Sequence, residues 1–433
     1  MHTPLPIPHH EDFIMGWDIG GAHLKNALYH RKSASLHTRH VATPLWQGRT
    51  ILERACRDAI TYATTWAQHG ARHGAQQTTQ HRSHAPHDRP SRPLWHHIVT
   101  MSGEVADIFS NRREGVIHIM ETLCALIKQD DNEHHVSFYN QRGEKTSLHS
   151  ASTEPLAYAS SNWRATAHFA AMYNPHPCLL LLDIGSTTSD ITPIHHHTPL
   201  SHGHDDYTRL RHRELFYSGV IRTPLMACAS HICFDSQPMP VCAELFATSG
   251  DIYLYNDSLP LAYHHMPTAD GRGKSRKESI QRIARMIGRD STTLSPTQQD
   301  ALVKAFQAKH LQKLCDACLF VIKTPPFITH LQRHQPHELA LWVTGCGHVL
   351  SEEIAQGLRH ALSMPIRLCR LADIVLSSYP SCRATHATND IDGKGGIDIC
   401  APAVALALLT AHHRGEDRRI GKVTRNPPQT RHR

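Results

Sequence analysis

Two short stretches place an aspartate, then glycines or hydroxyl residues, directly after an apolar run. They are Asp18-Ile19-Gly20-Gly21 and Asp183-Ile184-Gly185-Ser186-Thr187-Thr188-Ser189-Asp190. Glycine at such a turn puts no Cβ in the way, so backbone N–H groups can converge on a phosphate. In the second turn the hydroxyls of Ser186, Thr187 and Thr188 add donors. Asp18, Asp183 and Asp190 are hard oxygen ligands of the kind that hold Mg2+, usually through water. A cation also accounts for carboxylates beside an anion site, since without it they would repel the ligand. One such turn alone is an ordinary hairpin whose aspartate bonds to turn amides. Two of them, 165 residues apart counting from Asp18 to Asp183, point to a duplicated domain. A third turn, Thr344-Gly345-Cys346-Gly347, follows another apolar run, and the three together favour phosphate binding.

The elements that carry these turns are legible. Phe13 to Ile19 and Leu24 to Tyr29 read as a hairpin with a glycine turn, and Ile51 to Ala67 as a helix of apolar residues at helical spacing. From Gln68 to Pro93 the large apolar side chains vanish, predicting a mobile surface insertion over 68–93. Leu94 to Met101 resumes as a strand. Asn162 to Tyr173 reads as a helix ended by Pro175 and Pro177. Cys178 to Ile184 reads as a strand whose run of apolar residues up to Leu182 is continuous rather than alternating, as in a strand covered on both faces. Leu339 to Thr344 is a third such strand, Ser351 to Leu362 a helix, and Cys400 to Ala411 an apolar helix that tolerates Pro402 in its first turn.

Composition narrows the class. The chain has 433 residues, 40% hydrophobic and 19% charged, enough for two globular domains with separate cores. No apolar run reaches the length of a membrane span, and the first residues lack a basic region followed by an apolar stretch, so a cytoplasmic protein is expected. The formal charge is +7 and the pI about 8.8, but the positive residues are scattered, and no nucleic-acid partner is expected. The twelve cysteines sit mostly in apolar surroundings and read as reduced packing thiols. Cys315-Asp316-Ala317-Cys318 has no second pair at a zinc-site distance. The 39 histidines lack the helical or hairpin spacing of metal ligands and read as compositional drift on solvated surfaces.

The two Asp-Ile-Gly turns resemble the phosphate loops of the actin, Hsp70 and sugar-kinase superfamily. More specifically, the chain resembles the tetrahydromethanopterin-linked C1-transfer pathway family, relatives of hydantoinase/oxoprolinase subunits. That resemblance rests on Thr100-Met101-Ser102-Gly103-Glu104-Val105-Ala106-Asp107, Ser161-Asn162-Trp163-Arg164, Gly219-Val220-Ile221-Arg222-Thr223-Pro224, Ala243-Glu244-Leu245-Phe246 and Cys400-Ala401-Pro402-Ala403. The superfamily implies an α/β fold of two duplicated ribonuclease-H-like lobes around a cleft. The expected division is 13–176 for the first lobe and 177–399 for the second. Residues 400–412 form a helix packing back on the first lobe, and 413–433 a flexible basic tail. The family implies a methanofuran-biosynthesis synthase that joins an aminomethyl-furanmethyl diphosphate to the phenol of a γ-glutamyl-tyramine, with Mg2+ and release of diphosphate. Its partners would be these small molecules, with no membrane; a homodimer is left open. An ATP-dependent kinase or a hydantoinase-like hydrolase of the same superfamily is the alternative.

Roles follow for individual residues. Asp18, Lys25, Glu104 and Asp183 are the candidate catalytic set, with Lys25 neutralising diphosphate and Glu104 acting as base or amine anchor. Gly20, Gly21, Gly185, Ser186, Thr187, Thr188 and Arg222 are candidates for holding the diphosphate, with Arg222 as a bidentate clamp. Asn162, Gly345 and Gly347 are candidates for binding the organic substrate, while Trp163 reads as core packing.

Overall fold

The computed structural model describes residues 12–76, 93–334, 338–380, 382–388 and 391–412. Strand β1 (Phe13–Ile19) sets the plan of the first lobe. Phe13, Met15, Trp17 and Ile19 enter one core, whereas Gly16 and Asp18 share the opposite face with Ile14. It continues into β2 (His23–His30) and β3 (Ser35–Ala42), each antiparallel to the strand before. After α1 (Arg49–Gln76) come β4 (Leu94–Met101), α2 (Arg112–Ile127) and β5 (Glu133–Tyr139). The sheet runs β3-β2-β1-β4-β5, with β4 parallel to β1 and β5 parallel to β4. Apolar residues of α1 and α2, among them Leu52, Cys56, Ile119 and Leu123, cover the Trp17 face.

After α3 (Asn162–Tyr173) the same plan is repeated. Strands β6 (Cys178–Ile184), β7 (Ser189–His195) and β8 (Leu215–Phe216) form the antiparallel part. Helix α4 (Pro296–Lys323) then leads towards β9 (Leu339–Thr344), α5 (Ser351–Leu362) and β10 (Ile366–Arg370). Their order is β8-β7-β6-β9-β10, with β9 parallel to both β6 and β10. Two sheets of identical order and sense make the chain an α/β protein of two duplicated ribonuclease-H-like lobes, the actin, Hsp70 and sugar-kinase arrangement. Helix α6 (Ala401–His412) lies across β1, β2 and α3. Gly16 permits this approach, because a Cβ there would stand 2.0 Å from the Ala403 carbonyl oxygen.

Two boundaries differ from the sequence reading. Helix α1 continues to Gln76, into the stretch expected as insertion, where Ala, Gln and Arg are good helix formers. The rest of that insertion and the basic tail 413–433 lie outside the described residues. The chain also rejoins the first sheet before residue 399: Arg383–His386 pairs in parallel with β3. That strand is short and polar, so no apolar run marks it. All twelve cysteines are free thiols. Among the described residues no single helix is long and apolar enough to cross a membrane.

Candidate active site

The two Asp-Ile-Gly turns are matching hairpins. In the first, the Gly20 N–H donates to the His23 carbonyl at 2.9 Å; in the second, the Gly185 N–H donates to the Thr188 carbonyl at 2.8 Å. Asp18 lies opposite Lys25 in the ladder, as Asp183 lies opposite Asp190. The hairpins face each other, with Ser186 Oγ 3.5 Å from His23 Nδ1. Between the lobes they enclose a cavity of about 580 Å3.

Of the residues predicted from sequence, Asp18, Gly20, Gly21, Lys25, Asn162, Asp183, Gly185, Ser186, Thr187, Thr188, Asp190 and Arg222 line this cavity. Three do not. Glu104 is buried behind Ser160, whose Oγ donates to its Oε1 at 2.9 Å. Gly345 and Gly347 lie against the second turn rather than the cavity, because only glycine fits there. A Cβ on Gly345 would stand 2.2 Å from the Ile184 carbonyl oxygen, and one on Gly347 2.3 Å from Ile184 Cγ2. Their neighbour Cys346 lines the cavity instead. Trp163, read as core, is buried yet also lines the cavity, with the Arg209 guanidinium 3.7 Å from its ring centroid.

Charges in the cavity are strongly coupled. Lys25 Nζ stands 3.3 Å from Asp18 Oδ2. Burial works against its ammonium, but the carboxylates of Asp18 and Asp183 outweigh burial and hold its pKa above the ordinary lysine value. Burial raises Asp18 while Lys25 pulls it back. Burial pushes Asp183 up to about 7, opposed by Lys25 and reinforced by Asp190 and Asp18. Asp190 rises to about 6 by burial, opposed by Arg209, whose Nη2 is 3.2 Å away. Arg222 reaches Thr187 Oγ1 at 3.4 Å, and its guanidinium lies 4.7 Å from the Trp46 ring centroid.

Among the described residues, no three His, Cys, Asp or Glu side chains form a group that could hold a metal ion alone. Asp18 Oδ1 is nevertheless buried without a hydrogen-bond partner, and Asp183 and Asp190 carry raised pKa values beside it. A carboxylate oxygen left bare in a cluster short of positive charge suits a hard cation that also takes water and substrate oxygens.

Sequence reasoning missed several lining residues. His23 and His40 were hidden among the 39 histidines, and their buried places on β2 and β3 follow only from the pairing of those strands. Ser160, Asp206 and Tyr217 come from loops and a short helix that no local motif marks.

The model of the family described as hydantoinase/oxoprolinase matches residues 97–387. A curated synthase from Methanocaldococcus jannaschii is 26% identical over 280 residues, 64% of this chain and 72% of that relative. Its name specifies a furan-2-yl methanamine bearing a γ-L-glutamylaminoethyl-phenoxymethyl group. A synthase of the same name from Methanococcus vannielii is 35% identical over 116 residues, 27% of this chain and 52% of the relative. Among solved structures, a nucleotide-free acetone carboxylase covers 82% of this chain and 68% of its own, at 11% identity and a TM-score of 0.48. The family model covers more than half of the chain and contains the second hairpin, and the chain belongs to the hydantoinase/oxoprolinase family.

Proposed function

We propose that the chain is a transferase that joins an aminomethyl-furanmethyl diphosphate to the phenol oxygen of a γ-glutamyl-tyramine and releases diphosphate. The product would serve a methanofuran-type carrier in tetrahydromethanopterin-linked one-carbon metabolism. One observation carries this reading: two matching glycine hairpins face one cavity, with Lys25 and Arg222 beside them. The name of the curated relatives supports it, because a phenoxymethyl-furan contains the ether bond that such a transfer would make.

The chemistry fits these residues. The N–H groups and hydroxyls of the two turns, with Lys25 and Arg222, hold the diphosphate and favour the charge it gains on leaving. The furan ring shares positive charge on its methylene carbon, so the bond to diphosphate can break early. Asp18, Asp183 and Asp190 are the residues that would hold Mg2+, which when bound supplies further neutralisation of the leaving group. Asn162, the first residue of α3, and Tyr217 line the cavity, and they would orient the acceptor. Its phenol has an ordinary pKa near 10 and needs help to lose its proton.

Incubation of the purified protein with Mg2+, the furanmethyl diphosphate and a tyramine phenol is expected to give diphosphate and the ether in equal amounts. Turnover of ATP alone, with no ether, would replace this reading with the kinase or hydrolase alternative.

A further inference from the structure

Glu104 follows β4 and is only 1% exposed. Its Oε2 has no hydrogen-bond partner, and its Oε1 accepts from Ser160 Oγ at 2.9 Å. Helix α2 closes over it: a Cβ on Gly115 would stand 2.6 Å from the Glu104 carbonyl oxygen and 2.9 Å from its Cβ. Carboxylates buried this deeply for structural reasons have a basic partner. Here the nearby guanidinium, Arg112, is paired with Asp206 at 2.6 Å. Ser160 stands between Glu104 and the cavity, which it lines, and its backbone is held at φ +46°, a region that serine seldom occupies. A strained serine at the wall of the ligand space is thus fixed with its hydroxyl on a water-shielded carboxyl.

We infer that Ser160 and Glu104 form the route by which the acceptor phenol loses its proton, Ser160 touching the phenol and Glu104 acting through it. The inference rests on the transferase reading above. As the phenol oxygen forms its bond to the furan methylene, the methylene–oxygen bond to diphosphate breaks and its electron pair leaves with the diphosphate. The phenol proton passes to Ser160 Oγ while the hydroxyl proton of Ser160 passes to Glu104 Oε1. Ser160 is restored, and Glu104 becomes the neutral acid until its proton returns through Ser160 to the cavity. Burial pushes Glu104 up to about 7, against the hydrogen bond from Ser160, so the carboxyl can both take and release a proton near neutrality. The other groups felt at this position are Asp206, Arg112 and the phenol of Tyr217.

The test compares two acceptors, an ordinary tyramine phenol and a ring-nitrated one already ionised at neutral pH. Glu104→Gln and Ser160→Ala are each expected to slow ether formation by about 10²–10⁴-fold with the ordinary phenol. With the nitrated phenol, which needs no base, most of that loss should disappear. A merely structural role would slow both acceptors alike, so equal losses in Ser160→Ala overturn the inference even if Glu104→Gln misfolds. Unchanged rates in both variants overturn it as well. Wild-type protein that forms no ether with either phenol removes the transferase reading itself, and this inference with it.

Discussion

Arg222 holds its charge on an aromatic platform, Trp46, and leans on Thr187 without a carboxylate within ion-pair distance among the described residues. A guanidinium in that state has its whole charge available to an anion, whereas Lys25 shares its charge with Asp18. Replacing Arg222 by Ala is therefore expected to weaken diphosphate binding about 10–100-fold, the effect of losing a charge-assisted hydrogen bond of about 1.5–3 kcal/mol. Calorimetric titration with inorganic diphosphate checks this, and the melting temperature should stay within a degree or two. Binding that is unaffected would remove Arg222 from the anion site. At this scale the sequence revealed the groups whose neighbours in the chain share their task, such as Gly185 to Thr188. It did not reveal His23 and His40, whose ring centroids stand 4.6 Å apart, because strand pairing puts them together. Nor did it show that Glu104 is set back from the cavity behind Ser160, since that serine comes from a distant loop.

Elements with one strong physical cause were easy to read. Strand β6 is apolar from Cys178 to Leu182 because it is covered on both faces, and Asn162–Tyr173 and Ser351–Leu362 have the bounds expected from their prolines and periodicity. The Arg383–His386 strand escaped because an edge strand held by backbone pairing need not be apolar. The third glycine turn was read as a substrate contact, but its glycines act as spacers that seat β9 and the segment after it on the second hairpin. Gly345 has φ +78° and would meet Ile184 and Asp183 with any side chain. Gly345→Ala is expected to cost about 1–3 kcal/mol of stability, as overpacking usually does, and a denaturant midpoint measures it. A midpoint equal to wild type would show that the turn can yield.

For the whole molecule, the buried histidines dominate the response to acid. Burial lowers His23 to about 3 and His37, His168, His264, His310 and His386 to about 4. Each binds its proton more readily unfolded, near pH 6.5, so its contribution is complete above that value and is lost as pH falls towards 4. Glu104 and Asp183, near 7, and Asp190, near 6, act in the opposite sense: folded, they keep protons that the unfolded chain releases. They are outnumbered. The melting temperature is expected to fall between about pH 6.5 and about pH 4.5. A level or rising value across that window would mean that the imidazoles find acceptors when charged.

Helix α6 also bears on the order in which the protein can be made. It supplies the cover for the Ile14 and Ala27 side of the first sheet, yet it is synthesised after both lobes. The first lobe therefore waits, with an open apolar surface, for a helix that leaves the ribosome after the second lobe. A chain stopped at Cys400 should be cut rapidly by protease within β1 and β2, residues 13–30, where the full chain resists.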